Sequence, residues 1–225
     1  MGSSFDQLYR KFCEVWGYEP SALAKKVARE LRDHSSVLDI GAGQGKDSIF
    51  FASLGHKVTA VEGSVTATDT MRKRVKEKKD LDLKIITDDI TDMRLEVDEY
   101  DLVFANMSLQ FMTRGQRIEL MQRLRASVKK GGFIAIMQPT VEETAWKKLQ
   151  YNRDYAVAPC TLKFRGEVMN FAQLGEYRRE FDNDRIVDYR EGMIEDRGHP
   201  GFEEPHTHHV VSVVAMILDK SEGTP

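Results

Sequence analysis

The stretch Val37-Leu38-Asp39-Ile40-Gly41-Ala42-Gly43-Gln44-Gly45-Lys46-Asp47 constrains this chain more than any other. A short apolar run leads into glycines at positions 41, 43 and 45, and a helical pattern follows. Glycine permits a tight turn and lets a ligand approach the main chain with no Cβ between them. A strand that turns through such a loop into a helix is a ligand-binding βα unit. Its spacing is G-x-G-x-G. A dinucleotide fingerprint, G-x-G-x-x-G/A, needs glycine or alanine at position 46, where this chain has Lys46.

Strand and helix patterns alternate around this loop. The sequence predicts strands over 36–40, 57–61, 83–87, 100–105 and 132–138. Helices are expected over 46–54, from a Ser64 cap to about Lys79, and over 114–129, the last stopped by Gly131-Gly132. Strongly apolar strands in this order argue for a parallel sheet covered on both faces. Ahead of it, Leu8, Tyr9, Phe12, Val15 and Trp16, then Leu23, Val27 and Leu31, have helical spacing, and Pro20-Ser21 divides them into two helices. Beyond it come a helix over 141–151, an irregular stretch over 152–170, a short helix over 171–181 and a strand over 185–190. A loop over 192–207 and a strand over 208–218 close the chain. Two strands joined without a helix form an antiparallel hairpin at the sheet edge, and their loop is a candidate lid. The expected organisation is one domain, with N-terminal helices in 1–34 covering an acceptor site and an α/β core over 35–220.

A length of 225 residues suits one domain with a large core. A formal net charge of -3 gives no global attraction to nucleic acid or to an anionic membrane. No apolar run approaches the roughly 20 residues of a membrane span. The Met1–Phe5 start has no signal-peptide pattern, and Cys13 and Cys160 are far apart in no metal spacing. A cytoplasmic location with two idle thiols is the resulting expectation.

Three acids sit at strand ends: Asp39 at the end of the first strand, Glu62 directly after the second, Asp89 just past the third. In a parallel α/β sheet these ends open onto one crevice. A carboxylate after strand two can accept both hydroxyls of a ribose. One after strand three can accept from an adenine amino group, with Ile90 against the ring. Asp39 can bind an ammonium or hold the glycine turn. Each acid alone is equally a strand-end cap; together they favour an adenosine-like, cationic ligand. A phosphate loop of the form G-x-x-x-x-G-K-[ST] is missing. Lys46 at a helix start can meet an anion or point to solvent.

Together with Tyr100-Asp101-Leu102-Val103 and Lys130-Gly131-Gly132, these motifs resemble the class I S-adenosylmethionine-dependent methyltransferases over roughly residues 20–140. The resemblance implies a Rossmann-like, seven-stranded, mostly parallel sheet with an antiparallel last strand and helices on both faces. It implies S-adenosylmethionine as cofactor, S-adenosylhomocysteine as product and methyl transfer by direct displacement. The implied cofactor contacts are Asp39, Gly41, Ala42, Gly43, Gly45, Asp47, Glu62, Gly63, Ser64, Asp88, Asp89, Ile90, Asn106 and Met107. Phe171–Tyr177, Ile186–Gly192 and a histidine-bearing loop look like the tellurite-resistance and thiopurine methyltransferase-like group, which acts on small, soft nucleophiles. A small-molecule acceptor, no nucleic-acid or membrane partner, and a monomer or homodimer follow. Met107-Ser108 replaces the N/D-P-P-Y/W of amino-methylating nucleic-acid enzymes. An idle cofactor-binding sensor or partner subunit is the alternative.

Four of the six histidines, His199, His206, His208 and His209, fall within eleven residues. On a strand, 206 and 208 face one way and 209 the other. They are surface side chains, or they line the acceptor pocket as base, donor or anion holder, or they bind a metal with His206 and His208 as the core pair. His199, His206 and His208 are the catalytic candidates, with Tyr9 and Trp16 closing over the acceptor, and the chemistry itself requires no metal. The basic run Arg72–Lys79 reads as a solvated helix end.

Overall fold

A computed structural model describes residues 4–218 apart from 13, 77, 79, 165, 201 and 202. Cys13, the Met1-Gly2-Ser3 start, the Lys79 helix end and Gly201-Phe202 therefore lie outside the described residues. The chain begins with α1 (Ser4–Lys11) and α2 (Ala22–Val27). It continues through β1 (Ser36–Ile40), α3 (Lys46–Ser53), β2 (Lys57–Glu62), α4 (Val65–Val75), β3 (Leu83–Thr87), β4 (Tyr100–Asn106), α5 (Arg114–Ser127) and β5 (Val128–Pro139). The last third holds α6 (Thr144–Leu149), β6 (Ala156–Ala158), β7 (Thr161–Phe164), β8 (Glu167–Asn170), α7 (Glu176–Glu180), β9 (Arg185–Asp196) and β10 (His206–Met216).

Seven strands form one sheet in the order β3-β2-β1-β4-β5-β10-β9. Strands β1 to β5 pair in parallel, and β10 is antiparallel to both β5 and β9. The order reverses between β1 and β4, so the crevice for a ligand opens at the carboxyl ends of those strands. Successive strand residues point to opposite faces. Leu38 and Ile40 therefore meet Leu120 and Leu124 of α5 on one face, while Val37 meets Leu23, Val27 and Phe51 of α2 and α3 on the other. Ser64 caps α4 as expected, its hydroxyl accepting from the Ala67 N–H at 3.2 Å. Thr113 and Gln116 close a capping box on α5.

Four expectations change. Helix α5 stops at Ser127, well before Gly131-Gly132, because the β-branched Val128 is fully buried and pairs with Tyr100 in the sheet. Residues 156–170 are a three-stranded antiparallel sheet rather than an irregular stretch. Strand β9 runs to Asp196 and β10 starts at His206, so the connecting loop shrinks to 197–205; the register His206↔Asp196 pairs residues the sequence placed in that loop. The helices expected over 141–151 and 171–181 contract to α6 and α7. Ala172 is held out of the second by a bridge to Thr140.

The basic end of α4 is not merely solvated. Arg74 donates to the Gln44 carbonyl at 3.0 Å and lies over the Tyr18 ring at 4.4 Å, and Arg72 donates to Thr87 Oγ1 at 3.0 Å. Arg74 thus ties α4 to the glycine loop, and Arg72 ties it to the end of β3. Among the described residues, no helix is long and apolar enough to cross a membrane.

Candidate functional site

The glycine loop folds back over the end of β2. Gly41 and Ala42 donate to the Val61 carbonyl at 2.8 and 3.1 Å, and Gly45 opens α3. Gly41 has φ +65°, and a Cβ there would lie 2.4 Å from Ser108 Cβ. Gly43 has φ +55°, and its Cβ would meet the Tyr9 hydroxyl at 3.1 Å. Left-handed backbone and close neighbours both require glycine at these two positions.

Glu62 ties this loop to the next one. Its Oε2 accepts from the Gly43 N–H at 2.9 Å and its Oε1 from the Ser64 N–H at 2.8 Å. Burial pushes its carboxyl above the ordinary value. Gly63 lies exposed between Glu62 and Ser64.

Asp39 is buried at the end of β1, with Ser48 Oγ donating to its Oδ2 at 2.5 Å. Asp47 stands nearby, its Oδ1 accepting from the Ser21 N–H at 2.7 Å and its Oδ2 from Asn106 Nδ2 at 3.2 Å. Burial, and then the Asp47 charge, push the Asp39 carboxyl up to about 8. At the end of β4, Asn106 Oδ1, Ser108 Oγ and Gln110 Oε1 are buried without a hydrogen-bond partner, and Met107 has φ +55°. Buried acceptors left open in this way call for a donor.

The carboxylates after β3 are engaged differently. Asp88 Oδ1 accepts from the Asp89 N–H at 2.9 Å. Asp89 Oδ1 accepts from the Thr91 N–H and hydroxyl at 2.9 and 2.7 Å. Both side chains are exposed in a turn, and Ile90 is buried in the α5-side core. The structure thus joins Asp39, Asp47 and Asn106 in one group and Glu62, Gly43 and Ser64 in another, and leaves Asp88-Asp89 at the rim.

Helix α1 lies against the site. Asp6 accepts from Ser64 Oγ at 2.8 Å and from the Thr66 N–H at 3.3 Å, and these bonds hold its carboxyl below the ordinary value. Tyr9 is buried, and its hydroxyl accepts from Trp16 Nε1 at 3.0 Å. Trp16 in turn lies 4.7 Å, ring to ring, from His199. His199 is 5.7 Å from His206, and His206 is 4.7 Å from His208. The glycine loop and the histidines, far apart in sequence, are therefore connected through two aromatic side chains.

His206, His208, Val210 and Ser212 alternate onto one face of β10, and Asp196, Ile194, Gly192, Arg190 and Asp188 stand opposite on β9. On that face a cavity of about 320 Å³ lies between the hairpin and α2, bounded by Leu23, Lys26, Met137, Gly192, Val210 and Ser212. His208 Nδ1 is 3.4 Å from Glu143 Oε1, which raises the His208 pKa, while Glu143 Oε2 accepts from the His209 N–H at 2.7 Å. His209 bonds Thr140 at 2.7 Å on the other side. The sequence carried no sign of Glu143 or of the Lys26–Asp188 ion pair at 2.7 Å. Both depend on contacts between distant segments.

The buried carboxyl gives a pH test. Asp39 keeps its proton in the fold up to about pH 8 and loses it near 3.8 in the unfolded chain. Between these values the native state binds the extra proton, so its contribution to stability falls as pH rises. Thermal melts across this window should show wild-type stability declining relative to Asp39→Asn, which carries a neutral isostere. Parallel curves for the two proteins would show that Asp39 is already ionised in the fold.

Residues 37–132 match the sequence profile of the "Methyltransferase domain" family. The chain is 24% identical over 161 residues to the "Probable S-adenosyl-L-methionine-dependent methyltransferase TehB" of Haemophilus influenzae, over 71% of this chain and 49% of the relative. It therefore spans about half the length of that relative. Its fold is similar to that of a SAM-dependent methyltransferase from Methanosarcina mazei, with a TM-score of 0.71, 15% identity, and coverage of 87% of this chain and 98% of the other. It is also similar to the crystal structure of Haemophilus influenzae TehB, with a TM-score of 0.66, 19% identity, and coverage of 86% and 61%. The sheet order, the glycine loop with its strand-end acids, and the match over 37–132 together make the chain similar to the class I S-adenosylmethionine-dependent methyltransferases, TehB among them.

Proposed function

We propose that this protein transfers the methyl group of S-adenosylmethionine to a small-molecule nucleophile and releases S-adenosylhomocysteine. The observation that carries this reading is the chemistry of the crevice. Asp39, Asp47, Glu62 and the open oxygens of Asn106, Ser108 and Gln110 make it rich in acceptors. Lys46 stands at the start of α3, next to the glycine loop. Such a site fits a cationic, phosphate-free adenosyl ligand and does not fit a nucleotide polyphosphate. When bound, the cofactor supplies an electrophilic methyl group on a sulfonium.

In this reading Glu62 accepts from the ribose hydroxyls, flanked by Gly63 and Ser64. Asp47 supplies the charge that neutralises the ammonium end, while Asp39 and the open Oδ1 of Asn106 orient it. Gly41, Ala42, Gly43 and Gly45 let the ligand lie against the main chain. Met107 borders the reacting centre, and Asp88 and Asp89 mark the adenine rim. The acceptor lies between the hairpin and the N-terminal helices, in the cavity on the strand face that also carries His206 and His208. Its volume of about 320 Å³ suits a small molecule. Glu143 favours the charged form of His208, so that ring orients an anionic or soft nucleophile rather than removing a proton from it. Placement of acceptor and sulfonium in line then supplies most of the rate. The names of TehB and its fold neighbours support a methyl-transfer reaction and leave the acceptor open.

Two measurements test this. Calorimetry should detect saturable binding of S-adenosylhomocysteine. Incubation with methyl-labelled S-adenosylmethionine and a small-molecule extract should then move label into a low-molecular-weight product. Binding without any labelled product would instead identify an idle sensor or partner subunit.

A further inference from the structure

We propose that Asp196, His199 and His206 form a binding site for a divalent transition-metal cation at the open end of the β9–β10 hairpin. One ligand atom from each of the three lies within 4.8 Å of the other two. They come from three separate places: the end of β9, the loop, and the start of β10.

Each of the three side chains is held in an orientation that suits metal binding. His206 Nδ1 is 2.9 Å from the Glu204 carbonyl, and His199 Nδ1 is 3.2 Å from the Pro200 carbonyl. A carbonyl oxygen only accepts, so each Nδ1 carries the proton and the lone pair of a neutral ring resides on Nε2. Asp196 is fixed as well, since its Oδ1 accepts from the Gly198 N–H at 2.8 Å. Its Oδ2 is turned toward His206 Nε2 at 3.9 Å. Two electron-rich atoms aimed at one another are stabilised by a cation between them. Metal-binding histidines are characteristically held in this manner, with the second ring nitrogen bonded to a carbonyl or carboxylate. All three residues are half-buried, and Trp16 lies against His199.

Two imidazole nitrogens and one carboxylate oxygen form a borderline donor set. It suits zinc, cobalt, nickel or iron(II) rather than magnesium or calcium, which prefer oxygen alone. Three protein ligands leave a coordination position open. Zinc bonds of about 2.0–2.1 Å draw ligand atoms closer together than they stand here, so binding requires small inward shifts of all three side chains. His208 is outside the set, because its Nδ1 faces Glu143 at 3.4 Å. If the acceptor lies in the adjoining cavity, as the proposed function has it, the open position would face an anionic acceptor. Metal binding itself does not depend on that reading.

The test uses the full chain without a polyhistidine tag, stripped with chelator and free of cofactor. Calorimetric titration with zinc chloride at neutral pH should give one ion per chain. Cobalt(II) should develop visible d–d absorption of low coordination number. Asp196→Asn and His206→Gln should each weaken zinc binding at least tenfold. His208→Gln and His209→Gln should leave it within about twofold. X-ray absorption of the loaded wild type should count two imidazoles, which keeps the assignment open to refutation even where a variant unfolds. Absence of saturable binding would overturn the proposal and leave a protonated His206–Asp196 pair in its place. So would affinity unchanged in both ligand variants, or a coordination shell without two imidazoles. Because no methyl donor is present, a failure of the methyl-transfer reading cannot imitate any of these results.

Discussion

Replacing Gly41 with alanine is expected to lower stability by about 2–4 kcal/mol and to abolish measurable cofactor binding. Two effects add. The residue sits at φ +65°, where a Cβ costs roughly 1 kcal/mol. That Cβ would also stand 2.4 Å from Ser108 Cβ, and overpacking of this kind costs about 1–3 kcal/mol. Melting temperature should drop by roughly 4–16 °C for a chain of this size. The double variant Gly41→Ala/Ser108→Gly separates the two effects. Without the Ser108 side chain the clash disappears and the dihedral cost remains, so about half of the lost stability or more should return. A double variant no more stable than the single one would place the whole cost in the backbone. The loop's grip on the Val61 carbonyl through Gly41 and Ala42 explains why affinity suffers along with stability.

The glycine loop was legible because one short segment contains all of its determinants. An apolar strand buried on both faces, three glycines and a helix start need no partner to be recognised. The same holds for Ser64, whose capping role is local and appears as expected. Asp89 was half legible. Its place after β3 was evident, but its bonds to Thr91 follow from a side chain closing its own turn, a habit of aspartate that competes with ligand binding. Strands β6 to β8 were hidden because they are three or four residues long, with Val157 and Phe164 exposed and little alternation to read. The true end of α5 was masked by the glycines, although Val128, buried and β-branched, was the better signal. The histidines announced themselves by number alone. Their partners did not, since Glu143 lies 65 residues from His208, and the Tyr9–Trp16 link to His199 exists only once α1 lies on the loop.

Replacing Glu62 with alanine should weaken S-adenosylhomocysteine binding at least tenfold, about 1.4 kcal/mol. A carboxylate that accepts from ligand hydroxyls makes charge-assisted bonds, each typically worth about 1.5–3 kcal/mol. The same carboxylate holds the Gly43 and Ser64 N–H groups, so a simple loss of affinity does not separate a ribose contact from a loosened loop. Glu62→Gln keeps a single acceptor and should fall between wild type and alanine. A ligand lacking the 2′-hydroxyl makes the decisive comparison. Wild type should bind the 2′-deoxy analogue several-fold more weakly than the parent, because an acceptor at Glu62 is left unmet. The alanine variant has no such acceptor and should bind parent and analogue alike. Equal discrimination by both proteins would assign Glu62 to the architecture of the loop alone, and the ribose would then need another partner. The buried position of Glu62, with its carboxyl already pushed up by desolvation, makes the expected coupling larger than at a solvated strand end, since hydrogen bonds strengthen where water is excluded.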